Sequence, residues 1–184
     1  MKKILVVVDM QNDFVDGSLG SKEAEEIVPA VVRKIGEPWD GIIVTLDTHG
    51  PDYISSKEGE KLPVEHCIKG TPGWELNEEV AKALEGKDAI FVEKPTFGSM
   101  EVVNAALRII GESPSVEPAG TVAEVTLIGL CTDICVVSNA LLLKAAGWNN
   151  MDIAVDPECC AGTSPERHAA ALDTMASCQI NIVN

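Results

Sequence analysis

Three side chains that could share a reaction stand at separate places in this chain. Cys135 stands seventh in the octet Gly129-Leu130-Cys131-Thr132-Asp133-Ile134-Cys135-Val136. Asp9 follows the apolar run Val6-Val7-Val8, and Lys94 follows Ile90-Phe91-Val92-Glu93. A carboxylate at the end of a buried strand is partly desolvated, so its pKa rises unless a cation is near, and Lys94 is the obvious cation. A carboxylate can take a thiol proton, and an ammonium can hold the resulting charges together. Cys135 lies where a strand should end and a helix begin, and unpaired N–H groups at such a place favour a thiolate. Taken one at a time, an Asp at a strand end is a turn residue, a Lys after a strand is surface, and a Cys is core. Their joint placement is what argues for catalysis.

A second group has the chemistry of a metal site. Asp47 and His49 stand two residues apart at the end of another apolar run, so both project to one face. His66 lies across a long loop and can close onto them. Mixed carboxylate and imidazole donors suit Zn²⁺, with Fe²⁺ or Mn²⁺ as alternatives. Within Lys57-Glu58-Gly59-Glu60-Lys61, either Glu58 or Glu60 could add an acidic ligand, and Glu58 is favoured. His168 sits among alanines in the last helical pattern and reads as structural or surface.

The elements that must hold these residues alternate along the chain. Strands are expected at Lys3–Val8, Ile42–Asp47, Ala89–Val92, Ala123–Ile128, Met151–Val155 and Ile180–Val183. Several are unbroken apolar runs, the pattern of strands covered on both faces. Helices are expected at Ser21–Ile35, Trp74–Leu84, Ser99–Ile110, Asp133–Ala146 and Pro165–Ser177, with Ser164 and Pro165 forming a cap and first-turn pair. This order implies an α/β three-layer sandwich around a six-stranded, mostly parallel sheet. Sites in such sheets form outside the carboxyl ends of the strands, where Asp9, Asp47, Lys94 and Cys135 all fall. The irregular stretch Thr48–Gly73 is too long to be an idle connection in a compact domain.

Bulk properties set the outer bounds. The 184 residues are enough for one domain spanning 1–184, and 46% of them are apolar. A net charge of -15 argues against nucleic acid and anionic membrane as partners and favours a neutral or cationic small-molecule substrate. The start, Met1-Lys2-Lys3 and five apolar residues ended by Asp9, is too short for an export signal, so a cytoplasmic setting with reduced thiols is expected for the six cysteines. Cys67, Cys131, Cys159, Cys160 and Cys178 read as core or packing residues.

The stretches Val8–Phe14, Asp47-Thr48-His49, His66–Gly73, Lys94 and Gly129–Val136 together resemble the isochorismatase-like cysteine hydrolases, and within them the nicotinamidase/pyrazinamidase branch. The resemblance spans most of the chain in the family's order. It implies the isochorismatase-like hydrolase fold and Asp9, Lys94 and Cys135 as the catalytic triad. It also implies a cis peptide at Leu130–Cys131, with the N–H groups of Cys131 and Cys135 as the oxyanion hole. Asp47, His49 and His66 match the branch's metal ligands, with water or an acidic residue such as Glu58 completing the set. Phe14 matches a position that packs on the substrate ring, and Leu130 and Phe97 are further substrate contacts. The implied reaction converts nicotinamide, or a similar ring carboxamide, to the acid and ammonia. Relatives self-associate, so a homo-oligomer is expected.

Two departures keep a second reading open. Leu62-Pro63-Val64-Glu65 lacks the aromatic residue that the branch usually carries before its second metal histidine. Lys94 runs straight into Pro95-Thr96-Phe97-Gly98-Ser99, without a longer Tyr-bearing insertion, and Phe97 could supply the missing wall. A family hydrolase acting on another small amide or an N-carbamoyl compound fits the same residues. A purely binding protein would have no reason to keep Asp9, Lys94 and Cys135 together.

Overall fold

The structure is a computed structural model that describes residues 1–111, 120–147 and 150–183. Six strands, β1 (Lys2–Val8), β2 (Gly41–Asp47), β3 (Ala89–Lys94), β4 (Ala123–Leu130), β5 (Met151–Ala161) and β6 (Asn181–Ile182), form one sheet in the order β3-β2-β1-β4-β5-β6. Every strand pair is parallel, where the sequence pointed to a mostly parallel sheet. The chain runs outward from β1 to β3, then returns to place β4 on the other side of β1. The β1–β4 boundary is therefore the switch point where α/β sheets open a crevice.

Alternation along β1 divides the core. Ile4, Val6 and Val8 face one apolar cluster, Leu5 and Val7 face the other, and all five are fully buried. The helices are α1 (Asn12–Val15), α2 (Lys22–Ile35), α3 (Glu78–Leu84), α4 (Met100–Ile110), α5 (Val137–Gly147) and α6 (Pro165–Ser177). Helices α1, α2 and α3 cover the Leu5 face, while α4, α5 and α6 cover the Ile4 face. Side-chain caps start several of them: Ser21 Oγ accepts from the Ala24 N–H, Ser99 Oγ from Glu101, and Ser164 Oγ from Arg167.

Several boundaries differ from the sequence expectation, each for a local reason. Helix α3 begins at Glu78 rather than near Trp74, because the Asn77 side chain captures the Glu79 N–H at 3.1 Å. Strand β5 continues past Val155 to Ala161: its ladder with β4 slips after Leu127, around Pro157, and resumes at Gly129 with Cys160. The stretch from Thr132 to Val136 is a π-helical turn ahead of α5, with the Ile134 and Val136 N–H groups both bonded to the Cys131 carbonyl. The last strand keeps only Asn181 and Ile182 of the expected four residues. All six cysteines are free, and Cys178 is exposed rather than core. Among the described residues no helix is long and apolar enough to cross a membrane.

Candidate active site

The carboxyl ends of four neighbouring strands, β3, β2, β1 and β4, bring Lys94, Asp47, Asp9 and Cys135 together. Asp9 leaves β1 with φ of 48°, a left-handed conformation that turns the chain out of the sheet. Its Oδ1 accepts from the Thr45 hydroxyl at 2.6 Å, and the Thr45 hydroxyl also faces the Asp9 N–H at 3.1 Å. Its Oδ2 lies 2.7 Å from Lys94 Nζ, with both side chains fully buried. Lys94 Nζ also lies 3.5 Å from Cys135 Sγ and 3.2 Å from Asp47 Oδ1, and donates to the Thr96 carbonyl at 3.2 Å. One ammonium therefore sits among two carboxylates and a thiol.

Electrostatics assign the protons. Burial opposes the charge on Lys94, but Asp9, Cys135 and Asp47 outweigh it and hold the ammonium firmly protonated. Burial pushes the Asp9 carboxyl above its usual range, against the pull of Lys94. Burial and then Asp9 also push the Cys135 thiol well up, again against Lys94. The direction is opposite to the one a helix start would favour. The thiol is buried in the π-turn instead of standing at the start of a helix. After burial, the Asp9 carboxylate is the largest influence raising the thiol's pKa.

The peptide between Leu130 and Cys131 is cis. Gly129, just before it, has φ of 113°, and a Cβ there would lie 2.1 Å from the Val8 carbonyl oxygen. Only glycine lets the end of β4 approach the end of β1 this closely. Asn139 then fixes the turn from α5, donating to the Cys135 carbonyl at 2.8 Å and to the Phe97 carbonyl at 3.2 Å.

The second group converges beside the first. Asp47, His49, Glu58 and His66 place one donor atom each within 4.8 Å of one another. Asp47 Oδ2 is 2.9 Å from His49 Nε2 and 3.5 Å from His66 Nε2, and Glu58 Oε1 is 3.8 and 3.9 Å from the same two nitrogens. His66 Nδ1 donates to the Val64 carbonyl at 2.8 Å, which leaves Nε2 as the free donor atom. Burial opposes the charge of Asp47, but bonds to His49 and His66 and the charge of Lys94 hold it well below the usual carboxylate range. Burial and Asp47 raise Glu58. Two imidazoles and two carboxylates in this space fit a divalent metal ion. Glu58 joins the set, whereas Glu60 is exposed.

A cavity of about 370 Å³ opens over both groups. Cys131, Cys135, Asp47, Glu58 and His66 line one part of it, and Phe14, Phe97 and Leu130 form apolar wall. The three residues expected to touch substrate thus share one space with Cys135.

Three positioning residues escaped the sequence reading. Gln11, fully buried, accepts the Asp47 N–H at 2.7 Å and donates to the carbonyls of Asp47 and Trp74 at 2.9 and 2.8 Å. It locks the end of β2 to the loop beyond. Tyr53 packs its ring 4.6 Å from His49 and 4.8 Å from His66, and its hydroxyl donates to the Leu62 carbonyl. Thr45 orients Asp9. Gln11 stood inside the Val8–Phe14 stretch, and Tyr53 is the chain's one tyrosine, in an otherwise polar loop. His168, read as structural or surface, is half-buried and bonds the Thr132 hydroxyl at 2.8 Å.

A six-stranded parallel sheet carrying a buried acid, ammonium and thiol at its switch point has the architecture of the isochorismatase-like hydrolases. Residues 3–184 match the isochorismatase domain, and the chain belongs to that family. Among curated relatives, the nicotinamidase of Schizosaccharomyces pombe is 28% identical over 210 residues, covering 98% of this chain and 92% of that protein. The crystal structure of a nicotinamidase from Bacillus subtilis superposes with a TM-score of 0.80 at 26% identity, covering 100% of both chains. That of a pyrazinamidase from Pyrococcus horikoshii in complex with zinc superposes with a TM-score of 0.77 at 28% identity, covering 100% of this chain and 99% of the other.

Proposed function

We propose that this chain is a cysteine-dependent amidohydrolase that converts nicotinamide, or a closely similar ring carboxamide, to the acid and ammonia. The observation that carries the reading is Lys94 Nζ held 2.7 Å from Asp9 and 3.5 Å from Cys135, whose side chain lines the cavity. The names of the relatives, nicotinamidase and pyrazinamidase, agree with it.

Asp9 takes the thiol proton as Cys135 Sγ attacks the carboxamide carbon. The N–H groups of Cys131 and Cys135 receive the oxyanion. Asp9 returns the proton to the leaving nitrogen, the C–N bond breaks, and ammonia departs from a thioester. Asp9 then draws a proton from water, whose oxygen attacks the thioester carbonyl. The C–S bond breaks, the acid leaves, and the proton returns to sulfur. Lys94 stays charged and stabilises each anionic state in turn. Asp47, His49, Glu58 and His66 would hold a divalent ion, zinc in this reading, with iron or manganese as alternatives. Such an ion, when bound, supplies a Lewis acid that fixes a ring nitrogen and so places the carbonyl near the sulfur. Phe14, Phe97 and Leu130 hold the ring.

In this reading residues 1–184 act as one cysteine hydrolase domain serving pyridine nucleotide salvage in the cytoplasm, as a homo-oligomer. The test is ammonia release from nicotinamide, pyrazinamide and a panel of other small amides and N-carbamoyl compounds by metal-loaded protein. No turnover of any ring amide would overturn it, and preference for an N-carbamoyl compound would favour the alternative family reaction.

A further inference from the structure

Arg167 opens onto the same cavity as Cys135. Among the described residues that line the cavity it is the one guanidinium or ammonium, and it forms no ion pair with any described carboxylate. Asp133, bonded to the Thr163 that Arg167 touches, is already engaged: its Oδ1 accepts the Thr163 N–H at 2.8 Å and its Oδ2 the Thr163 hydroxyl at 2.6 Å. Arg167 touches this pair only through a long contact, Nη1 to Thr163 Oγ1 at 3.5 Å. The guanidinium is exposed, charged and uncommitted.

Its position is costly for the helix that carries it. Arg167 is the third residue of α6, just after Pro165 and Glu166. A cation in the first turn opposes the helix macrodipole, so helix stability gives no reason for an arginine there. Its mount is nonetheless firm. Thr163 is tied to Asp133 of the nucleophile turn, and His168, the next residue, is tied to Thr132 of the same turn. The base of α6 is thus fixed relative to Cys135, and the arginine is carried on a rim of set position.

We propose that Arg167 is a specificity-determining residue that binds a carboxylate on the substrate away from the scissile amide, so that the preferred substrate is a ring amide bearing one anionic group. This rests on the amide-hydrolase reading of the site. The cavity that Cys135 and Arg167 share is lined by the apolar side chains of Ile134, Leu130, Phe14 and Leu19, which suits a ring, while its two carboxylates, Asp47 and Glu58, belong to the metal group. A single guanidinium matches one carboxylate by a two-pronged hydrogen bond, whereas a dianion such as a phosphate monoester calls for more positive charge than the cavity presents. The overall charge of -15 disfavours anions at long range, and Arg167 reverses that preference locally at the mouth.

The test compares nicotinamides carrying a carboxylate at ring position 5 or 6 with the same rings carrying a methyl group there. Metal-loaded enzyme is assayed by ammonia release. For at least one position the wild type is expected to favour the carboxylate in kcat/KM by about tenfold or more, the size of a charged hydrogen bond. The ratio should fall toward one in R167Q, take an intermediate value in R167K, and shrink with added salt in the wild type. A wild-type ratio at or below one for both positions, or a ratio retained in R167Q, overturns the proposal. If methyl-substituted rings and nicotinamide are turned over while the ratio is flat, the carboxylate subsite alone falls. If no amide is turned over, the amide-hydrolase reading falls and takes this proposal with it.

Discussion

Asp47 and Lys94 are ladder partners across β2 and β3, and the Asp47 carboxylate divides between two tasks. Its Oδ1 lies 3.2 Å from Lys94 Nζ, while its Oδ2 lies 2.9 Å from His49 Nε2. The register of two strands thus joins the Asp9–Lys94–Cys135 cluster to the candidate metal ligands through one side chain. Asp47→Asn is expected to weaken both. Metal content per chain should drop, and kcat/KM should fall on the order of 100-fold or more. His49→Ala removes a metal donor but leaves the Asp47–Lys94 pair. The rate of Cys135 alkylation by a small thiol reagent should therefore change more in Asp47→Asn than in His49→Ala. Equal changes would show that the two groups are independent.

Lys94 is fully buried and stands between Asp9 and Asp47. Lys94→Met keeps much of the volume but leaves two buried carboxylates facing each other without a counter-charge. Breaking a buried pair in this way costs about 3–5 kcal/mol. Urea unfolding of Lys94→Met should show a loss of that order, along with loss of activity. Cys135→Ala separates the two effects. Removal of one sulfur atom should change stability little, yet abolish turnover by a factor on the order of 10⁴ or more, as expected for a nucleophile. Residual turnover within tenfold of wild type would exclude a covalent route through Cys135.

Much of this site was legible in the residues alone because strand ends are easy to locate. Continuous apolar runs such as Val6-Val7-Val8 mark strands buried on both faces, and the polar residue after each run must lie at the sheet edge where crevices open. Asp9, Asp47, Lys94 and Cys135 were placed by that logic. What the pattern could not give was the state of the thiol. A helix start and a buried π-turn look alike in the apolar stretch after Thr132, yet they expose the sulfur differently. Gln11 escaped for a related reason. A glutamine has no periodic signature, and its three bonds to the backbone of Asp47 and Trp74 exist only once the loop folds back. The switch from Trp74 to Asn77 as helix start depended on one side-chain cap against an otherwise helical pattern.

Acid should shut the reaction down at a higher pH than an ordinary carboxylate would allow. Asp9 must be ionised to accept the thiol proton, and burial raises its pKa against the pull of Lys94. As pH rises, the reactive form appears as Asp9 loses its proton. With metal kept saturating, the acid limb of kcat/KM should have a midpoint above about 4, the usual Asp value. His66 adds a separate effect at low metal. Burial disfavours its charge, but the bonds to Asp47 and Val64 raise its pKa overall. Protons therefore compete with metal at its Nε2 from a higher pH than for a free imidazole, and metal affinity should fall as pH drops below neutral. A midpoint at or below 4 under saturating metal would argue against Asp9 as the base.

The approach of β4 to β1 makes a final prediction about a residue that never touches substrate. Gly129 is the register partner of Val8, and a Cβ on it would lie 2.1 Å from the Val8 carbonyl oxygen, a backbone atom that cannot swing aside. Its φ of 113° is also unfavourable for any residue with a Cβ. Gly129→Ala must therefore push the two central strands apart at the ends that carry Asp9 and Cys135. The loss of stability should exceed about 3 kcal/mol, well beyond a typical surface substitution. Gly111→Ala is the matched control. It carries a positive φ of 76°, and among the described residues nothing lies within 4 Å of its added Cβ, so the backbone penalty is the one expected. That penalty is about 1–2 kcal/mol. The two variants compared by urea denaturation separate close approach from backbone strain. Similar losses in both would mean that the strand ends can yield, and that the spacing of Asp9 and Cys135 is not set by this glycine.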